Sequence, residues 1–275
     1  FRALPAFHGK SDARILAAGL ALHDAQSVIA REYGFPSFVE LRARVLAQEN
    51  VHTLMQRHMA VPPPAEVLEA LHQAAQRDVV PLPALDVPKP VLAVRNALLT
   101  RGAVAPFQIA RPASVAAIQV ALAGDHTLVV FAQRNETTDS PTRDELHDVG
   151  CIAHVSAFFP EGERGSWLVV KALAWVRLEA LVQDTPYLSA RVSELTIVED
   201  DPEVSTRLGT TLLDEVRPLG GGLPLDDLTP VELADATVAN LYCSVEDKAR
   251  YAALPSATER LRFALELLRM SEAPG

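Results

Sequence analysis

Residues 131–155, FAQRNETTDSPTRDELHDVGCIAHV, decide how the chain folds. They read as the end of a strand, a polar loop, one helical turn and a second strand. Phe131-Ala132-Gln133 closes an apolar run that begins at Leu128. Asn135 to Ser140 are turn-forming polar residues that suit neither regular structure. Thr142-x-x-Glu145, just behind Pro141, is a capping box, in which each side chain bonds the other residue's backbone N–H. Val149-Gly150 then turns the chain into Cys151-Ile152-Ala153-His154-Val155.

Working outward, the signals on both sides are strands. Val91–Val94, Val104–Ile109, Leu128–Phe131, Cys151–Phe158, Trp167–Leu178 and Leu188–Val198 are rich in aliphatic and aromatic residues. Leu188, Ala190 and Val192 alternate with Ser189, Arg191 and Ser193, as in a strand with one wet face. Trp167–Val176 is apolar on both faces, as a barrel or central strand is. Pro106 cannot donate to a ladder, so Val104–Ile109 belongs at an edge. About six strands with one helix among them fit a small barrel.

Helices flank this region. Ser11-Asp12 opens one, Asp24–Tyr33 makes a second that stops at Gly34, and Ser37-x-x-Glu40 caps a third. Pro62-Pro63-Pro64 breaks the pattern, and a helix over Ala65–Arg77 carries Val67, Leu68 and Leu71 on one stripe. Pro81, Pro83, Pro88 and Pro90 mark an extended linker and a domain boundary. Beyond Asp200-Asp201-Pro202 the chain returns to helix over Glu203–Val216, ended by Pro218 and Gly220–Gly222. Thr229-Pro230-Val231-Glu232 combines a capping box with proline at the first helical position. Ser256-Ala257-Thr258-Glu259 opens the last helix, with Leu261, Leu265 and Leu268 on its buried stripe.

The motif series resembles the amino-terminal domain of Lon proteases. The family's "VAQ…TDEPT…L…VGT.A.I" is matched by Phe131, Ala132, Gln133, Thr138, Asp139, Pro141, Leu146, Val149, Gly150, Ala153 and Val155. Arg111-Pro112-Ala113-Ser114-Val115-Ala116-Ala117-Ile118 is similar to its "GRP.SI.AI". Lys171–Leu178 sits where the family has "VEGLRRARI", with Ala174-Trp175 in place of the arginine pair. Residues 184–192 are similar to "GPYLEAEV", and 233–241 to "LAD.IA.HL". A separate segment, from Leu22 through Arg42, resembles a short helical stretch found ahead of bacterial ankyrin repeats, although no repeat follows.

The resemblance implies an α+β fold: a helical N-terminal module (1–80), a PUA-like β-barrel of about six strands (81–200) and a C-terminal helical bundle (201–275). It also implies non-catalytic recognition of protein clients or of a protein partner, with no cofactor, and without a signal-peptide pattern the chain reads as a bacterial cytoplasmic protein. An adaptor for one dedicated partner, held through the N-terminal helices, is the alternative. An RNA-binding PUA-like domain is a third reading. A net charge of −10 stands against it, because phosphate binding needs a basic surface. The same acidity stands against an anionic membrane, and no run of about 18 apolar residues is present. The basic residues are 21 arginines and four lysines, a bias of composition rather than of function.

The catalytic modules of Lon have no counterpart here. Gly220–Gly222 runs into Leu223-Pro224 rather than the lysine of a phosphate-binding loop. His147-x-x-x-Cys151-x-x-His154 has metal-ligand residue types, but strand alternation sends His154 to the opposite face from Cys151, and no fourth ligand is near. His52, His58 and His72 lack the i, i+4 spacing of a helical zinc site. Glu161 and Glu163 lie in a glycine-rich turn better suited to a solvated loop than to a carboxylate pair. Cys151 and Cys243 are expected to be buried free thiols.

The candidate binding residues are aromatic. Phe158 and Phe159 are adjacent on a strand, so one faces the core and the other faces outward beside the Pro160–Gly165 loop. Trp167 lies across that hairpin. Exposed aromatics beside a loop would suit unfolded or hydrophobic segments. The competing arrangement buries both phenylalanines beneath the helical bundle.

Overall fold

The computed structural model describes residues 63–76, 80–95, 97–162, 165–218, 225–241 and 243–272. Those up to Asp214, and those from Leu225 on, belong to one compact unit. The helices expected over 11–60, the Ser37–Glu40 box, the ankyrin-associated segment, His52, His58 and Gly220–Gly222 lie outside the described residues, as do the side chains of Glu161 and Glu163.

Among the described residues, six strands form a single sheet: β1 (Lys89–Val94), β2 (Val104–Ile109), β3 (Thr127–Ala132), β4 (Val149–Gly162), β5 (Gly165–Gln183) and β6 (Ser189–Glu194). Their order is β2-β5-β4-β3-β1-β6, and β5 also pairs with β6. That extra pairing closes β1, β3, β4, β5 and β6 into a barrel and leaves β2 outside it. β1 and β3 run parallel, and the other pairs are antiparallel. β5 makes this possible by its length. Its first part pairs with β2 through Val104↔Lys171 to Ile109↔Ser166, and its last part pairs with β6 through Val176↔Glu194 to Gln183↔Ser189. β2 sits at the end of the sheet, where Pro106 needs no second partner.

The barrel interior takes alternate residues of its strands: Val91 and Ala93, Val129 and Phe131, Ile152, Val176 and Leu178, Ala190 and Val192. Leu146, from the loop before β4, plugs the same core. The intervening residues of β1 and β3 are buried too, since helix α2 (Pro112–Ala123) packs on both strands. An all-apolar strand such as Thr127–Ala132 is the sequence imprint of that two-sided cover.

Five further α-helices are described. Helix α1 (Ala65–Gln76) precedes the sheet, and α3 (Pro202–Val216), α4 (Pro230–Asn240), α5 (Val245–Ala253) and α6 (Ala257–Glu272) follow it. On α1 the inward stripe is Val67, Leu71 and Ala74, while Leu68 is 44% exposed. Two of the three expected capping boxes fall among the described residues, and both are present. One, at Thr229/Glu232, opens α4, and the other, at Thr142/Glu145, opens a short 3-10 turn (Arg143–Glu145).

Strand β6 ends at Glu194, short of the expected Val198, because Val198 is engaged elsewhere. Its N–H donates to Pro255 O (2.8 Å) and its carbonyl accepts from Ala257 N (2.9 Å), tying the chain to the start of α6. The sequence reading placed no helix over α5. Its start is nevertheless written as Ser244-x-x-Asp247, and the Ser244 Oγ accepts from Asp247 N at 3.0 Å.

Candidate recognition surface

The loop that follows β3 is organised by polar side chains. Gln133 donates from Nε2 to Thr138 O (2.8 Å) and Asn135 O (3.2 Å), which folds the loop back on itself. Arg111, just before α2, donates from Nη1 to Gln133 Oε1 and to Asp139 O, both at 3.0 Å, and from Nη2 to Ala93 O. Burial lowers the pKa of this guanidinium, and the neighbouring Arg95 charge adds to the effect. Arg95 takes the Asp139 carboxylate at 2.6 Å. Beside this network lies a narrow cleft lined by Val91, Arg111, Asp139, Pro141, Asp184 and Leu188. Three of the five N–H donors of Arg111 are spent on protein oxygens, so it acts as a brace for the loop at the edge of the cleft.

The long hairpin of β4 and β5 carries the aromatic candidates. Phe159 stands opposite Trp167, and Phe158 opposite Leu168, so the two phenylalanines do lie on different faces. Trp167 is fully buried, however. With Val169 it packs against Val67, Leu71 and Ala74 of α1, and the half-buried Phe159, Ala157 and Val104 join them. The cover over this face is thus α1, not the C-terminal bundle. Phe158 is half-buried on the other face. Trp167 Nε1 is buried with no hydrogen-bond partner among the described residues.

No group of three or more His, Cys, Asp or Glu suited to a metal occurs among the described residues. Cys151 is buried, and its thiol donates to Leu99 O at 3.2 Å. Burial pushes that thiol's pKa well up. His154 lies beside His126 instead, with ring centroids 6.1 Å apart. His147, 9% exposed, precedes β4 and donates its backbone N–H to Ala132 O at 3.0 Å. Cys243 is free but only half-buried, where full burial was expected.

The most elaborate polar cluster joins the barrel to the bundle. Asp235 of α4, 1% exposed, receives Arg260 Nη1 (3.1 Å), Arg101 Nε (2.7 Å), Tyr251 OH (2.7 Å) and Trp175 Nε1 (3.2 Å). Arg260 itself is fully buried. It donates further to Leu254 O and Ala252 O and lies about 5 Å from both the Trp175 and Tyr251 rings. Trp175 is therefore a core residue with its one donor satisfied.

Residues 89–270 match the family described as the ATP-dependent protease La (LON) substrate-binding domain. The chain belongs to this family. The Lon protease of Anaeromyxobacter dehalogenans is 32% identical over 196 residues, which cover 66% of this chain and 23% of that protein. Lon protease 2 of Myxococcus xanthus is 31% identical over 196 residues, covering 66% and 24%. The Escherichia coli enzyme is 25% identical over 189 residues, covering 65% and 24%. The chain thus spans about a quarter of the length of the curated relatives it matches. In fold it is similar to the N-terminal domain of Mycobacterium avium complex Lon protease (TM-score 0.54, 21% identity), over 66% of this chain and 98% of that one.

Within this Lon-type domain, the residues of the family motifs serve architecture. Gln133 and Asp139 shape the loop, and Gly150 allows a close crossing. A Cβ added at Gly150 would fall 2.6 Å from the Phe131 ring and closer still to Val130 O. Asp235 anchors the bundle. The sequence reading missed that anchor because its partners lie at 101, 175, 251 and 260. The signal was an aspartate placed among the apolar residues of a helix, where a charge requires partners.

Proposed function

We propose that this chain is a non-catalytic recognition domain that holds protein clients through the apolar surface of its barrel and hairpin. The observation that carries this reading is the family match itself. It takes in both the barrel and the bundle, and the family is the substrate-binding part of Lon. On this view residues 1–80 are an attached helical module, 81–200 the barrel and 201–275 the bundle. Phe158, Phe159 and Trp167 belong to the contact surface, Phe158 directly and the other two beneath α1. The acidic net charge of −10 favours protein over nucleic acid as partner. Free Cys151 and Cys243 fit a reducing compartment, and we place the protein in the cytoplasm. No helix among the described residues is long and apolar enough to cross a membrane.

The test is titration of the purified chain with a permanently unfolded, alkylated protein and, in parallel, with its native form. Binding of the unfolded form alone supports the reading. Binding of neither, or ATP hydrolysis or peptide cleavage by the pure chain, overturns it.

A further inference from the structure

The hairpin face that carries Trp167 is closed by an element outside the family match. That match begins at residue 89, whereas α1 ends at Gln76. Helix α1 lays Val67, Leu71 and Ala74, at positions i, i+4 and i+7, against Trp167, Val169 and Phe159. This is a helix-in-groove contact of the kind that proteins use to bind one another.

The seat is a small one. Helix α1 has only 12 residues, too few to be stable alone, and its inward stripe ends in an alanine while Leu68 stays 44% exposed. Beneath it the Trp167 N–H is buried with no acceptor among the described residues. A helix interior uses its carbonyls on its own N–H groups, so the middle of α1 has none to offer. The unpaired, desolvated donor therefore lowers the stability of the closed face. The connection to β1 is short and contains Pro81, Pro83 and Pro88. A tether of this kind keeps α1 at an effective concentration in the millimolar range.

We propose that this face binds an amphipathic helical segment of a client, with small aliphatic residues at i, i+4 and i+7, and that α1 is its tethered competitor. The proposal rests on the recognition reading and names the client class. A helix whose apolar stripe has lost its native partner fits the groove, and a side-chain acceptor facing Trp167 would satisfy the indole that α1 leaves unpaired.

The probe is a fluorescent, end-capped peptide of residues 63–76, titrated into the full chain and into the Val67→Ser/Leu71→Ser double variant and read by anisotropy. The variant should bind at least tenfold more tightly, because its own helix no longer competes. The same peptide bearing both serines should bind neither chain. A second measurement needs no variant: saturating peptide should speed amide exchange in α1 of the unaltered chain while leaving β4 and β5 protected. A folded variant that binds no tighter, or α1 exchange indifferent to peptide, overturns the assignment. An unfolded test protein separates the two readings. If it binds the chain and its variant equally and peptide does not displace it, client recognition stands and this site for it falls. If it binds neither while the peptide exchanges, the recognition reading falls, and the client role of the groove falls with it.

Discussion

Asp235 on α4 and Trp175 on β5 meet inside the protein, where the indole Nε1 lies 3.2 and 3.3 Å from the two carboxylate oxygens. The contact couples the barrel wall to the helical bundle through a charge that water does not reach. Arg260, equally buried, supplies the counter-charge.

Removing one partner of a buried ion pair leaves the other uncompensated. Asp235→Ala should therefore cost about 3–5 kcal/mol, far more than a surface substitution. Adding Arg260→Met to Asp235→Ala should recover part of the loss, since the stranded guanidinium is then gone. Urea unfolding of the two single variants and the double variant measures the coupling directly.

Gly150 has no room for a methyl group between Val130 O and the Phe131 ring. Both obstacles belong to β3, which is held by β1 and β4 and cannot retreat. Gly150→Ala should destabilise the barrel by about 1–3 kcal/mol, and Gly150→Val by more. Thermal unfolding followed by circular dichroism would register this, and an unchanged midpoint would contradict the crossing geometry.

His147 gives the protein a mild acid sensitivity above the carboxylate range. Burial holds its pKa below the ordinary histidine value, Arg134 adds to this, and Glu246 and Asp148 oppose it. The unfolded chain takes up the proton near about pH 6.5, and the folded protein resists it. Stability is then complete above that pH and declines as the pH falls toward the lower, folded value. His147→Leu should flatten the stability profile between about pH 7.5 and about pH 5. Glu145, Asp148 and Asp200 act later. Each is held below its ordinary value, chiefly by the Thr142 N–H, the Arg143 guanidinium and the Thr258 hydroxyl respectively. Their contribution is lost only as the pH drops below about 4.

Arg111 holds three separate pieces of backbone or side chain with one planar group. A lysine keeps the charge but not the fork. Arg111→Lys should loosen residues 135–141 while leaving the barrel intact. Hydrogen exchange should rise most in that loop, while core amides should speed uniformly by an amount that matches a global stability loss of about 1–3 kcal/mol.

Local rules made much of this legible. The capping boxes at Thr142 and Thr229 and the edge position of Pro106 are all encoded within a few residues, and each stands as the sequence implies. The cover over Trp167 was not legible. A tryptophan in a hairpin reads the same whether a helix or water lies on it, and which helix arrives there is decided by packing across about a hundred residues. Leu68 shows the limit at finer scale. It belongs to the apolar stripe of α1 by pattern, but rotation of the helix gives its place to Ala74. The Asp235 cluster was hidden for the opposite reason, since each partner is unremarkable alone and only the fold brings them together.

The barrel closes through strands that are far apart in the chain. Lys89 of β1 pairs with Ala190 of β6, and the Ser189 hydroxyl reaches Lys89 O across 100 residues of sequence. During synthesis, β1 and β3 leave the ribosome long before the strand that completes them. The apolar face of an unfinished barrel is then exposed for the whole interval, at about 5–20 residues per second. Pairings this distant also fold slowly once available. Helices α4 to α6, whose buried Asp235 grips a residue of β5, can dock only afterwards. The newborn domain would therefore itself be a chain with unprotected apolar segments, a transient resident of the same pool from which a recognition domain draws its clients.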